Sequence, residues 1–200
     1  MTEKSFTNTE LKILHNTRFF EVKATAIKKI DIILANVRDS LKAEIENKNI
    51  IFPKEVDARN GKIFRGENYL GLPYLILDYP KHFSKESVFA FRTMFWWGNF
   101  FSFTLHLQGK ALEERRNDLI KKIPSLKHKD IYICMNDNPW QYHYGKGNYI
   151  AIDKLPNTKL KKLFSEGDFI KLSKKIPLKD YKFISKFTIE SFLDLHLESK

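Results

Sequence analysis

The sequence predicts an α+β fold: a single domain with a largely antiparallel β-sheet packed by a long N-terminal helix, a C-terminal helix and one or two shorter helices. Three observations carry that expectation. A helical pattern with no Gly or Pro runs from about residue 9 to about residue 47, the most apolar and aromatic run, VFAFRTMFWWGNFFSFTLHL (88–107), is split by Gly98-Asn99, and a second helical pattern closes the chain at about 180–197. The sheet-rich part is expected between about 62 and 176, with the whole of 1–200 as one domain.

The first helix is announced by Thr7-Asn8-Thr9-Glu10, which fits a capping box. Phe19, Val22, Ala26, Ile30, Ile33, Val37, Leu41 and Ile45 then recur in steps of three and four, laying one stripe along one helix or two abutting helices. The stripe reads as a core-covering face; a partner-binding or dimerising helix is the sharper alternative, although the stripe is wider than a heptad seam. Pro53 and Gly61 bound a polar loop. Two strands follow at 62–69 and 72–79, with a bend at Gly71 and Pro73 and with Tyr79-Pro80 closing the second.

Gly98-Asn99 is the signal of a two-residue hairpin loop, which sets Trp97 opposite Phe100. Because side chains alternate along a strand, Phe91, Thr93 and Phe95 then share a face with His106, Thr104 and Ser102. Ala90, Arg92, Met94 and Trp96 share the drier face with Leu107, Leu105, Phe103 and Phe101. Arg92 on an apolar face requires a carboxylate, a bound anion or a route to water. The placement depends on the turn, since a slip of one residue would move Arg92 outward, and His106 joins Arg92 only if the register differs from this one.

A helix is expected over about 110–123, with Pro124 just beyond its end, and a short one over 156–164, stopped by Gly167. Residues 130–136 and 149–152 read as partnered strands. The segment NDNPWQYHYGKGN between them places Trp140, Tyr142, His143 and Tyr144 in a long loop. It reads either as an aromatic binding loop or, preferably, as a hairpin whose Trp140, Tyr142 and Tyr144 pack on the core, with Gly145-Lys146-Gly147 as its turn. Residues 169–176 form a strand with Lys171, Ser173 and Lys175 on one face; the lysines place it at a sheet edge.

Composition narrows function without naming it. The 200 residues are 42% hydrophobic and 30% charged, values of an ordinary soluble globular protein. Cys134 is the sole cysteine, which excludes an internal disulfide and gives no sign of an oxidising compartment. With no apolar leader and no membrane-length run, the expected location is cytoplasmic, with no membrane insertion. The formal net charge of +11 would attract nucleic acid or another polyanion, and +7 of it lies from residue 121 onward, where 16 Lys face 9 Asp plus Glu. Scattered lysines also make a plain solubilising surface, and only 7 of the 35 basic residues are Arg.

Catalytic signatures are missing. The six histidines show no metal-binding spacing, and Cys134 lies in an apolar strand pattern. No nucleophile elbow, phosphate-binding loop, dinucleotide fingerprint or RNA-binding signature is present, so neither a metal nor a cofactor is implied and enzymatic activity is left open. The expected role is a non-enzymatic binding or interaction module whose partner is a polyanion. The alternative is an enzyme or ligand-binding protein with a polar pocket for a small anionic ligand around Arg92, Glu67 and Asp78, with Tyr69, Tyr74 and His106 as further candidates. Self-association is the third partner class left open.

Overall fold

Seven strands form one antiparallel sheet in the order β1-β2-β3-β4-β7-β5-β6, seen in a computed structural model that describes residues 5–197. The strands are β1 (Lys62–Tyr69), β2 (Leu72–Phe83), β3 (Ser87–Trp96), β4 (Phe100–Gly109), β5 (Tyr132–Cys134), β6 (Tyr149–Ala151) and β7 (Phe169–Pro177). The helices are α1 (Asn8–Leu14), α2 (Thr17–Asn47), α3 (Lys110–Glu113), α4 (Arg116–Leu126), α5 (Asn157–Glu166) and α6 (Ile184–Leu195). The predicted α+β architecture, with its long N-terminal helix, is therefore present.

The capping box closes as the sequence predicts: Thr7 Oγ1 accepts from the Glu10 N–H, and Glu10 accepts from the Thr7 N–H. The helical segment then breaks at His15-Asn16, because the Asn16 side chain accepts from Phe19 N–H and starts α2 afresh. Helix α2 buries Ile27, Leu34, Val37, Leu41 and Ile45, and its seam joins one core with the sheet residues Leu75, Leu77, Phe91, Phe95, Phe103, Leu105 and Leu172 and with Phe192 of α6. The N-terminal members of the predicted stripe, Phe19 and Val22, stay exposed.

Four expectations are corrected. The central hairpin pairs Trp96 with Phe100, Arg92 with Thr104 and Ala90 with His106, one residue out of the predicted register. The ladder closes at Trp96–Phe100, so the loop comprises Trp97, Gly98 and Asn99, with Gly98 alone of the three at positive φ. Strand β2 does not end at Tyr79-Pro80. A register shift between Asp78 and Lys81 accommodates the proline, which has no N–H to give, and the ladder resumes to Phe83. Helix α4 continues through Pro124 to the buried Leu126, whose burial offsets the single lost backbone bond. Strand β7 is interior, between β4 and β5, and Lys171 is 0% exposed.

The corrected register sorts the sheet into two unlike faces. Phe89, Phe91, Thr93 and Phe95 share the helix-covered face with Leu107, Leu105, Phe103 and Phe101. The opposite face carries a polar row that runs strand by strand through Lys62, Asp78, Arg92, Thr104, Ser173 and Tyr132. Beside it His106 pairs with Lys171. Among the described residues, no helix contributes to the small apolar cluster on this face. Residues 135–148, the connection between β5 and β6, supply the side chains that reach it.

Candidate functional site beneath the 135–148 loop

Residues 135–148 form an irregular cover rather than the expected hairpin. A loop of this length without secondary structure must satisfy its backbone polar groups from elsewhere, and here the sheet does it. The Tyr69 hydroxyl accepts from Tyr142 N–H at 2.6 Å and His143 N–H at 2.9 Å. Lys171 Nζ donates to the Gln141 carbonyl at 2.6 Å, Tyr144 donates to Ser173 Oγ at 2.6 Å, and the Asn148 amide donates to the His143 carbonyl. Tyr142 packs with Ile76, Met94 and Trp96 in a small second core, bordered by Tyr69, Tyr74 and Phe100. Trp140 remains 47% exposed and lies over His106, ring to ring at 5.3 Å.

Arg92 finds the carboxylate its position demands. Its Nε and Nη2 donate to the two Asp78 oxygens at 2.6 and 2.7 Å, and Nη1 donates to the Tyr142 hydroxyl at 2.6 Å. Burial works against the guanidinium charge, but Asp78 holds its pKa above the ordinary value. The pair is closed, with each of the three Arg92 nitrogens engaged by Asp78 or Tyr142. Glu67 lies elsewhere: it is exposed and bonded to Lys23 of α2. Tyr69 supports the loop, and Tyr74 borders its small core and acts electrostatically on Arg92. His143 accepts from Gly145 N–H at the outer side of the loop.

Lys171 is unlike Arg92. It is fully buried and no carboxylate pairs with it among the described residues; its ammonium has the Gln141 carbonyl, the Tyr142 ring at 3.8 Å and the Tyr149 ring at 5.4 Å. Burial, with the Arg92 charge behind it, lowers its pKa to about 7. Burial and the Lys171 and Arg92 charges likewise lower His106 to about 3, so this imidazole is neutral. The Cys134 thiol is pushed up by burial and sits 3.4 Å from Asn148 Oδ1. Burial raises Tyr142 to about 12.

Three buried polar atoms around this face have no full hydrogen bond: Ser102 Oγ, His106 Nε2 and the Tyr149 hydroxyl, which faces Thr104. Buried polar groups are normally satisfied, and two of these exceptions, in His106 and Tyr149, lie beside the Lys171 ammonium, which has no carboxylate partner among the described residues. Among the described residues, no three His, Cys, Asp or Glu side chains converge to hold a metal ion.

No family model, curated protein or solved structure matches the chain.

Sequence reasoning grouped Ser102 and Thr104 with His106 but did not join them to Lys171, Ser173, Cys134 and Asn148. The available signal was the alternation of Lys171 and Ser173 along β7, matching Thr104 and His106 along β4. It was misread because lysine in a strand ordinarily faces water at an edge.

A cleft of about 990 Å³ also opens on the helix side between the ends of α2 and α6 and the side of α4, bordered by Leu197, the last described residue. Its cations are engaged: Lys48 with Glu44, Lys121 with Asp118, and Lys122 with the His196 carbonyl. They serve helix ends and neighbouring carboxylates before any ligand. No helix among the described residues is long and apolar enough to cross a membrane.

Proposed function

We propose that the protein binds a small anionic ligand beneath the 135–148 loop, with Lys171 as the cation that receives it. The supporting observation is the buried Lys171 ammonium without a carboxylate among the described residues, placed beside His106, its cross-strand neighbour, and Tyr149, each with a buried polar atom that lacks a full partner. A lysine is an expensive way to tie down one loop carbonyl. A neutral amide or hydroxyl would donate the same bond without the several kcal/mol that desolvating an ion costs. An anion of carboxylate or phosphate type would compensate that charge and take a donor from Tyr149. The loop is the entrance, since side-chain ties rather than a strand ladder hold it down.

The polyanion reading has less support. Part of the C-terminal basic excess is used inside the fold, with Lys129 and Lys174 both on Asp194 and Lys127 on the Ile152 and Leu155 carbonyls.

The single thiol makes the test specific, because Cys134 lies under the loop. Thermal unfolding and the rate of Cys134 reaction with an aromatic disulfide are measured with inorganic phosphate, acetate and succinate at matched ionic strength. One of these anions should raise the melting temperature and slow the thiol, and Lys171→Met should abolish both effects. Identical responses in the two proteins, or none in the wild type, would remove the proposal.

A further inference from the structure

The apolar stripe of α2 runs past the body of the protein. Helix α1 buries no residue, and α2 buries none before Ile27. Phe6, Leu11, Ile13, Leu14, Phe19, Phe20 and Val22 are each between 39% and 65% exposed, although they are half of the exposed large hydrophobic side chains found among the described residues. Isolated surface leucines need no explanation, but seven such side chains within seventeen residues make a patch. We infer that this N-terminal arm, residues 5–26, is the surface through which a second copy of the chain binds, arm against arm.

Two features favour a second copy as the partner. Together the seven side chains expose roughly 800 Å², about what one partner contributes to a standard interface. Charge points the same way. Lys12, Arg18 and Lys23 face Glu10 and Glu21, so the arm carries a net charge of +1 in a chain of +11. Lys23 is moreover taken up by Glu67. A segment made for anionic lipid would concentrate the basic residues, while one with both signs can complement its own copy.

Sedimentation of the full chain between about 5 and 100 μM at physiological ionic strength reads the outcome directly. The expected mass is twice 23.7 kDa. Leu14→Glu and Phe20→Glu should each raise the dissociation constant roughly tenfold or more with an unchanged circular dichroism spectrum. Leu14→Glu is the decisive variant, because α1 contributes nothing to the core. Ile51→Glu, at a 77% exposed position beyond the far end of α2, should leave the mass unchanged. A wild-type mass of 23.7 kDa throughout, or a dimer that survives both arm variants, overturns the inference. So does a monomer that sediments with phosphatidylserine vesicles, which would assign the arm to a lipid surface.

Discussion

Replacing Lys171 by methionine tests the buried charge through the pH dependence of stability. The lysine pKa falls from 10.5 in an unconstrained chain to about 7 in the fold. Below pH 7 both states carry the proton, and the folded state bears the whole cost of the buried ion, on the order of 4–5 kcal/mol for a shift of this size. Between pH 7 and 10 the unfolded chain holds more protons than the folded one, so stability rises with pH. Integrated from pH 7 to 9.5 the gain is about 3 kcal/mol, and above pH 10 the buried tyrosines, whose pKa values are raised, reverse it. Methionine keeps the stem's volume and removes the charge, at a cost of about 1–3 kcal/mol for the orphaned Gln141 carbonyl. The variant should therefore be more stable than the wild type at pH 6 and lose that advantage by pH 9.5. Urea unfolding of both proteins at half-unit intervals measures this. A flat wild-type curve from pH 7 to 9.5, or a variant that keeps the rise, would refute the reasoning.

Four further outcomes follow from named contacts. Arg92→Ala should cost about 3–5 kcal/mol, because it strands Asp78 without a partner, and the double variant Asp78→Leu/Arg92→Leu should recover most of it in a double-mutant cycle by urea unfolding. His106, held neutral with a pKa of about 3, should lower stability by about 1.5 kcal/mol as pH falls from 6.5 to 5, since the unfolded chain takes up the proton first; His106→Gln should remove that share of the slope. Trp140→Ala uncovers the loop's edge over His106 and should accelerate Cys134 labelling about tenfold or more with an unchanged far-ultraviolet spectrum. Gly109→Ala should abolish folding at ordinary temperature, read by loss of the cooperative thermal transition, because the residue has φ of +58° and a Cβ there would meet the Glu86 carbonyl oxygen at 2.0 Å.

Local features were legible to the extent that they depend on local chemistry. Thr7 and Glu10 are three residues apart and cap α1 wherever the helix goes, and Gly167 stops α5 for the same reason. The Arg92–Asp78 pair was foreseeable because an arginine in an apolar strand pattern must find an anion, and Asp78 lies in the neighbouring predicted strand. Glu67, equally eligible by composition, was not chosen because it faces α2 and Lys23 instead. The hairpin register failed at one residue. Gly98-Asn99 fits either a two- or a three-residue loop, and that difference moved His106, Thr104 and Ser102 to the side of Arg92.

By itself the sequence determined most of the elements and their order, because helix caps, turn residues and apolar periodicity act over a few residues. Only the tertiary structure decided that β7 enters the middle of the sheet beside β4, which turns Lys171 from a surface lysine into a buried one opposite His106. Strand order depends on free energy summed over distant segments, and no local pattern in β7 records which strand will lie on either side of it. The polar cluster beneath the 135–148 loop is a product of that placement.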